Sequence, residues 1–182
     1  MENLLIKENY QPNGNVVDKI TIIYDRVNGG IVCEVPSIYE WVDLGLPSGT
    51  LWAVWNVGAN RPEEYGDYFE FEKWDSSLQV PTKEEFKELK KECKWEWASV
   101  NGKQGHVVTG PNGKSIFLPA AGFREGSSLY GAGVSGFYWS STLRENDDYR
   151  AYDLTFNSSD YKVDWYCRLY GQGLRCVKRK RQ

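Results

Sequence analysis

Beyond residue 94 the sequence consists of short extended segments separated by turn residues, and this pattern restricts the fold more than any other feature. Candidate strands occur in WEWASV, SIFLPAAG, GFYWSST, AYDLTFN, YKVDWY and GLRCVKR. Asn101-Gly102 and Pro111-Asn112-Gly113 mark turns between some of them. The second half of the chain is therefore predicted to be built mainly from strands.

One helix is clearly signalled before this run of strands. Thr82 has the properties of an N-cap, and Glu85 three residues later completes a capping box. The apolar residues that would pack against the core lie on one side of this helix: Phe86, Leu89 and Cys93. A second, short helix stays open within residues 63–74. One or two helices followed by short strands predict an α+β domain with an antiparallel sheet.

The first 38 residues differ from the rest. DKITIIYDRVNGGIVCEV predicts a β-hairpin that turns at Asn28-Gly29-Gly30. An isolated hairpin is only marginally stable, so residues 1–38 are predicted to be an attachment or assembly segment that packs on something else. Residues 39–182 form the main domain, which opens with two strands around the turn Leu46-Pro47-Ser48-Gly49.

Composition excludes some classes of partner. The formal net charge is −3 and the pI is about 5.3, which argues against nucleic acid as the partner. The basic end, residues 178–181, is interpreted as a solvated tail. No apolar stretch is long enough for membrane insertion, and MENLLIKENY does not resemble a signal peptide. The chain contains 8 Trp and 12 Tyr, which indicates an aromatic core, an aromatic binding surface, or both.

Catalytic groups are scarce. His106 is the single histidine, and without it no Ser-His-Asp or Cys-His constellation can be built. It is interpreted as a surface or packed residue. The four cysteines have no zinc-site spacing; Cys93 and Cys176 are interpreted as buried thiols, and Cys167 beside Arg168 does not by itself make a nucleophile site. No catalytic residue and no metal ligand is therefore assigned.

An acidic segment leaves one cofactor open. Glu145-Asn146-Asp147-Asp148 offers hard oxygen ligands of the kind that calcium prefers, but it lacks the glycine and the terminal glutamate of an EF-hand loop. A solvated acidic loop is the alternative. No cofactor is expected, with calcium kept as the exception.

The segment NSSDYKVDWYCRLYGQGLRCV, residues 157–177, follows neither a helical nor a strand period. Large aromatic residues and a cysteine alternate irregularly with aspartates. Six of the 12 tyrosines lie between Tyr138 and Tyr170. Such a cluster is typical of binding surfaces, because tyrosine gives a large contact area at a low entropic cost.

Several segments in chain order resemble the Fibrobacter succinogenes major paralogous domain family. They are WVDLGLPSGTLWAVWNVGANRPEEYGDYFEF, VPTKEEFKEL, NGKSIFLPAAGFREGSSLYGAGVSGFYWSST, AYDLTFNSS and RLYGQGLRCV, and the resemblance covers residues 39–178. It implies a C-type-lectin-like fold. The same architecture is used by the variable proteins of diversity-generating retroelements, including phage receptor-binding proteins such as the major tropism determinant.

In that group, adenine-directed mutagenesis diversifies C-terminal strands and loops on a rigid scaffold, which here implies a variable region of about residues 138–175. The implied ligand-binding residues are Leu143, Arg144, Asn146, Asp147, Asp148, Tyr149, Arg150, Tyr152, Asp160, Tyr161, Asp164, Tyr166, Cys167, Leu169 and Tyr170. Mutated asparagine codons do not reach Trp, Lys or Gln, so Trp165, Lys162 and Gln172 are assigned to the scaffold. Trp139 and Arg175 join them there, while Tyr138 is left open as a member of the face.

The resemblance implies a non-enzymatic binding protein. Its partner would be a host or bacterial surface receptor, protein or glycan, and its place a phage tail fibre or a bacterial cell surface. A homo-oligomer, a trimer by analogy, would add avidity. Three alternatives stay open: an undiversified lectin-like domain, a calcium-dependent sugar lectin, and an oxidase similar to the formylglycine-generating enzymes, which share the fold and use a cysteine pair.

Overall fold

The computed structural model describes residues 21–25, 30–34 and 40–180. Within them lies a single α-helix, α1 (Lys83–Glu92). The strands are β1 (Thr21–Asp25), β2 (Gly30–Glu34), β3 (Trp41–Asp43), β4 (Leu51–Ala53), β5 (Lys94–Val100), β6 (Lys103–Thr109), β7 (Ser115–Pro119), β8 (Phe123–Glu125), β9 (Ser128–Tyr130), β10 (Gly136–Leu143), β11 (Arg150–Phe156), β12 (Tyr161–Cys167) and β13 (Val177–Lys178). Every named strand pair is antiparallel, so the α+β class with antiparallel sheets is confirmed.

Backbone contacts divide the chain into two compact units, Met1–Tyr39 and Glu40–Gln182. In the first unit β1 pairs with β2, with Thr21 opposite Glu34 and Asp25 opposite Gly30. The two predicted strands therefore pair as a hairpin would. Asn28 and Gly29 of the predicted turn lie outside the described residues, and the attachment role stays a prediction.

Four sheets make up the second unit. Their strand orders are β10-β11-β12, β5-β6-β7, β13-β4-β3 and β8-β9. The β5–β6 connection shows why the chain reverses where it does: Asn101 and Gly102 both have left-handed backbone, with φ of 47° and 79°, which suits a two-residue hairpin turn. The segment GLRCVKR is less regular than predicted, because only β13 within it is a strand.

The helix begins as the sequence predicts. The Glu85 amide donates to Thr82 Oγ1 at 3.2 Å, and the Thr82 amide donates to Glu85 Oε2 at 2.7 Å. Phe86 and Leu89 are fully buried, and Cys93 is the buried C-cap. No helix in the described part of the chain is long and apolar enough to cross a membrane.

The second helix considered for residues 63–74 is absent from this fully described segment. Residues 63–74 instead consist of turns, irregular backbone and one isolated bridge between Phe69 and Gln172. Gly66 explains part of the difference, because its φ of 71° is left-handed and a Cβ there would collide with the Val57 carbonyl oxygen. The chain must turn at this point rather than continue a helix.

The β10-β11-β12 sheet separates two cores. On one side, the helix face, Tyr138 and Leu154 pack into a cluster with Phe86 and Leu89 of α1. On the other side, the far face, Trp139 packs into a second cluster with other fully or largely buried residues, namely Phe71, Val80, Ala151 and Leu174. Neighbouring residues on a strand point to opposite sides, so Tyr138 and Trp139 enter different cores. Trp139 is a core residue as predicted, and the option that Tyr138 belongs to a binding face is wrong because Tyr138 is fully buried.

Arg175, assigned to the scaffold, is fully buried between these clusters. Its Nε donates to Asn56 Oδ1 at 2.9 Å, and Nη1 donates to the carbonyl oxygens of Ala53 at 3.0 Å and Val54 at 2.6 Å. Nη2 donates to the Phe117 carbonyl at 2.9 Å. Burial lowers the pKa of Arg175 to about 10, which still leaves the guanidinium charged at neutral pH. One side chain thus joins the C-terminal segment to the end of β4 and to β7.

We predict that Arg175→Lys destabilises the protein by about 3 to 5 kcal/mol, because an ammonium cannot reach the four acceptors and leaves buried carbonyl oxygens unpaired. Urea unfolding at pH 7 measures the change. The matched control is Arg61→Lys at an exposed site, which should stay within about 0.5 kcal/mol. Equal stability of the two variants would contradict a central role for the guanidinium.

Candidate binding surface

Large exposed apolar side chains are concentrated in one part of the sequence. Among the described residues there are seven of them: Leu129, Tyr130, Val134, Leu143, Tyr149, Trp165 and Leu169. All seven lie in the stretch from β9 to the residues just after β12. The predicted variable region of about residues 138–175 contains the last four, while the first three precede it.

The predicted site residues do not form one continuous face. Trp165 and Tyr166 are neighbours on β12 and therefore point to opposite sides of the sheet. Trp165 contacts Arg144 and Arg150, whereas Tyr166 contacts Phe123 and Phe137. The structure thus divides the predicted surface into two clusters, one on each side.

The first cluster is an aromatic patch, defined as Phe123, Tyr130, Phe137, Tyr166 and Tyr170. Phe123 is at its centre: its ring centroid lies 5.0 Å from that of Phe137, 5.3 Å from that of Tyr170 and 5.5 Å from that of Tyr166. The centroid of Tyr130 is 5.6 Å away, in a stacked arrangement. The rings hold each other in place while remaining partly exposed.

Three members of this patch, Phe123, Tyr130 and Phe137, were missed by the sequence analysis. Two of them lie on the β8–β9 hairpin, which was not predicted either. A signal was present, because Gly126-Ser127 separates FRE from SLY and a glycine-containing two-residue gap is typical of a hairpin. The backbone then brings the hairpin to the C-terminal segment through the bridge between Arg124 and Gly171.

The surroundings of the aromatic patch are negative. Tyr170 Oη lies 3.4 Å from Glu125 Oε1, and the charge of Glu125 followed by burial raises the pKa of Tyr170. Burial, then Tyr170 and Asp153, raise the pKa of Tyr166. Both phenols are therefore protonated at physiological pH; the hydroxyl of Tyr170 already donates to Glu125, whereas that of Tyr166 can donate to a ligand.

The second cluster is an arginine–tryptophan cluster, defined as Arg144, Asp147, Arg150 and Trp165. The guanidinium carbons of Arg144 and Arg150 lie 4.1 Å and 4.4 Å from the Trp165 ring centroid. Asp147 Oδ2 accepts from Arg144 Nη1 at 2.9 Å and lies 3.7 Å from Arg150 Nη1. Trp165 had been assigned to the scaffold, but 37% of its surface is exposed and it stands among the predicted binding residues.

Asp147 bears on the calcium alternative. One of its carboxylate oxygens is held by the two arginines, and the other accepts from the Tyr149 amide at 3.0 Å. In this arrangement the charge of the carboxylate is balanced by the two arginines, and both of its oxygens already have partners, so a calcium ion would have to displace these contacts. The described residues include no group of three or more His, Cys, Asp or Glu side chains that could hold a metal ion.

Tyr161 differs from its prediction. Its ring stacks on Trp95, with centroids 4.6 Å apart and planes 8° apart, and it packs against the core on the helix face. Tyr152, on the same side of the sheet, is half-buried under Lys83, whose Nζ lies 4.4 Å from the ring centroid. Tyr161 is better described as a core-packing residue than as part of an exposed binding surface.

The other predicted residues lie at the surface. Six of them are exposed outside both clusters: Leu143, Asn146, Asp148, Tyr149, Asp160 and Leu169. Tyr149 and Leu169 are the most exposed of these apolar residues, at 81% and 72%. Asp164 on β12 forms an ion pair with Lys162 at 2.6 Å, and Cys167 at the end of β12 is half-buried opposite Arg150.

His106 is packed in an aromatic environment. It is 4% exposed, its Nε2 lies 2.8 Å from the Asn157 carbonyl oxygen, and the rings of Trp97 and Phe156 meet it edge to face. Burial lowers its pKa although the hydrogen bond to Asn157 opposes that shift. The interpretation of His106 as a packed residue fits this position.

The cysteines differ in their surroundings. Burial raises the pKa of Cys93 and of Cys176 to about 11, and both are free thiols. Cys167 is also free but half-buried. Cys167 and Cys176 are the two cysteines that lie close in sequence, and a redox pair made of them would use Cys176, which is an inaccessible and poorly ionised thiol.

A family model described as "Domain of unknown function (DUF8237)" matches residues 74–177, more than half of the chain. The chain belongs to the DUF8237 family. The DUF8237 match contains α1, all strands from β5 to β12, and every predicted ligand-binding residue. No curated protein and no solved structure matches the chain.

We predict that only Cys167, among the three thiols in the second unit, reacts rapidly with dithionitrobenzoate in the folded protein at pH 8. A pKa near 11 leaves Cys93 and Cys176 with about a hundredfold less thiolate than an ordinary thiol, and burial slows them further. The measurement uses a Cys33→Ser background, and adding Cys167→Ser should abolish the fast phase. A second fast thiol would reopen the cysteine-pair alternative.

Proposed function

We propose that this protein is a non-enzymatic binding protein that attaches to a receptor on a host or bacterial surface. The aromatic patch and the arginine–tryptophan cluster supply the contact surface, and a C-type-lectin-like scaffold holds them. The α+β class with antiparallel sheets agrees with such a scaffold. The receptor is a surface protein or glycan, and the protein acts from a phage tail or a bacterial surface, as a homo-oligomer if the N-terminal segment assembles.

The observation that supports this proposal is the concentration of exposed apolar side chains from Leu129 to Leu169. Within this stretch the rings of the aromatic patch pack on one another while remaining partly exposed, and grouped apolar surface of this kind usually marks an interaction site. Tyrosine, tryptophan and arginine are also the residues that contribute most to binding energy in interfaces.

Diversification by a retroelement is the second part of the proposal. Substitution at exposed positions such as Tyr149 and Leu169 is expected to have little effect on stability, because few core contacts are lost. Buried neighbours such as Asp153 and Leu154 hold the strands while the surface changes. A Tyr-rich surface on a fixed core is the arrangement that a variable binding protein requires.

The binding proposal is tested with the labelled full-length chain on a panel of intact bacterial cells and an array of bacterial surface glycans. We expect Tyr170→Ser, in the aromatic patch, or Tyr149→Ser, beside the arginine–tryptophan cluster, to weaken binding at least about tenfold. Each variant removes one partly exposed tyrosine ring, so each is the matched control for the other.

Lys87→Ser on the exposed side of α1 is the second control and should bind like the wild type. Loss in only one tyrosine variant identifies the cluster that contacts the receptor. Binding to neither panel, or binding that both tyrosine variants retain in full, contradicts the proposal.

The diversification proposal is tested by sequencing the locus in a natural population. We expect substitutions to accumulate at the codons of fully or partly exposed residues such as Tyr149, Tyr166, Leu169 and Tyr170 and to match adenines in a nearby template copy. The codons of α1 provide the baseline. Variation at the four surface codons that does not exceed this baseline would leave an undiversified lectin-like binding domain, the alternative function.

A further inference from the structure

Asp153 is a buried carboxyl group that takes no part in the proposed contact surface. It lies in the middle of β11 on the far face, with no exposed surface, between Trp139 on β10 and Asp164 on β12. Its only side-chain partner among the described residues is Gln172, whose Nε2 donates to Oδ2 at 2.9 Å. Gln172 is also completely buried. A carboxylate in such a place would be a charge without a cation.

The two side chains have one unpartnered oxygen each. Asp153 Oδ1 and Gln172 Oε1 are buried and, within the described part of the chain, accept no hydrogen bond. Both are acceptors when the carboxyl group is ionised, so neither can satisfy the other. A single proton on Asp153 Oδ1 would remove the conflict, because the carboxyl group could then donate to Gln172 Oε1 while Gln172 Nε2 donates to Oδ2.

We propose that Asp153 is protonated in the folded protein and forms a two-hydrogen-bond acid–amide pair with Gln172, which acts as a proton-dependent latch beneath the aromatic patch. When the proton leaves to solvent, the pair keeps one hydrogen bond and gains a buried charge. The latch then loosens the segment that contains Gln172 and, with it, Tyr170 two residues before.

The position of the pair explains how it reaches the patch. The backbone of Gln172 is hydrogen-bonded to that of Phe69, and the backbone of the preceding Gly171 is hydrogen-bonded to that of Arg124 on β8. On the sheet, Tyr166 is on the same side as Asp153, since it lies two residues beyond Asp164, the direct partner of Asp153. The pair therefore connects the central strand β11 to the 171–173 segment. That segment directly follows Tyr170 and is hydrogen-bonded to β8, which contains Phe123.

Among the described residues, the charged and titratable groups that face Asp153 lie on β12. From β12, Asp164, Lys162 and Tyr166 face it, and Lys162 is already paired with Asp164 at 2.6 Å. From β10 comes Trp139, which is neutral, and from the 171–173 segment comes Gln172. Burial is the main cause that raises the pKa of Asp153 to about 7, the hydrogen bond from Gln172 opposes it, and Asp164 adds to it.

The contribution of Asp153 to stability falls as pH rises. The folded-state pKa is raised above the value of 3.8 expected for the unfolded chain, so the folded state holds a proton that the unfolded state has lost. The stabilisation is complete below about pH 4 and is lost as pH rises through about 7. The unfolding equilibrium constant contributed by this group should rise close to tenfold per pH unit between about pH 5 and 6.5.

The first experiment measures the proton directly. The full chain is labelled with ¹³C at aspartate carboxyl carbons, and the Asp153 signal is assigned by correlation to its own backbone. We expect a midpoint near pH 7 and a protonated chemical shift at pH 5.5. A midpoint below pH 5 would overturn the proposal, and this measurement needs no variant to fold.

The second experiment uses Asp153→Asn, whose amide can form both hydrogen bonds without a titrating proton. Urea unfolding between pH 4.5 and 8 should show a wild-type unfolding constant that rises close to tenfold per pH unit relative to Asp153→Asn over the window of about pH 5 to 6.5. Asp75→Asn, at an exposed site, is the matched control and should keep the wild-type slope there, since hydrogen bonds from Ser77 lower the pKa of Asp75. Parallel wild-type and Asp153→Asn profiles would overturn the proposal.

The third readout follows the patch itself. The ring signals of Tyr166 in the wild type should shift with the midpoint of Asp153, and those in Asp153→Asn should not. Ring signals that ignore the Asp153 titration would show that the pair is only structural. None of these measurements uses a receptor, so their failure would leave the binding proposal standing, and the reverse also holds.

Discussion

The buried guanidinium of Arg175 is the interaction on which the rest of the second unit depends. Its donors reach Asn56 and two carbonyl oxygens at the end of β4 on one side and the Phe117 carbonyl oxygen of β7 on the other. These four acceptors are neutral, so the arrangement solvates a charge with backbone and amide dipoles rather than with a counter-ion. Such a site tolerates little substitution or movement of Arg175, because every displaced carbonyl group would be left buried and unpaired.

Arg175 also determines how the C-terminal segment passes between the two cores. Leu174 belongs to the cluster on the far face, whereas Val177 belongs to the cluster that includes α1. Fixing the residue between them fixes the segment, and the bridges from Phe69 to Gln172 and from Arg124 to Gly171 extend that order toward the aromatic patch. The exposed rings are thus positioned by contacts made from the interior, which reduces the entropy lost when a partner binds.

The sequence was sufficient to predict those elements that depend on residues close together along the chain. The capping box at Thr82 and Glu85 and the apolar stripe of Phe86 and Leu89 predicted α1, and Asn101-Gly102 predicted a reversal that the backbone contains. The irregular composition around residues 143–170 pointed to a surface that does contain four of the seven exposed large apolar residues. These features depend on neighbours a few positions apart.

Contacts between distant segments were beyond the reach of the sequence. Tyr161 was assigned to the binding face from the resemblance alone. Its stacking on Trp95, 66 positions earlier, could not be predicted because it depends on how β12 and β5 are brought together. Trp165 and Tyr166 point to opposite sides because they are neighbours on a strand, but the residues that each of them meets depend on how β12 pairs with β11. The roles of Phe123 and Tyr130 depend on a hairpin that joins the C-terminal segment only in three dimensions. Arg175 was placed in the scaffold, but none of its four partners could have been named.

The proposed latch and the proposed diversification constrain each other at Tyr166. Tyr166 lies on the same side of the sheet as Asp153 and interacts with it electrostatically, so replacing the tyrosine with a small residue would remove bulk from that side and bring water closer to the carboxyl group. Hydration lowers the cost of the charged form and would move the pKa of Asp153 down toward its ordinary value. Residues that change at position 166 would therefore alter both the contact surface and the pH at which it loosens, whereas changes at Leu169, which is largely exposed, would alter the contact surface alone.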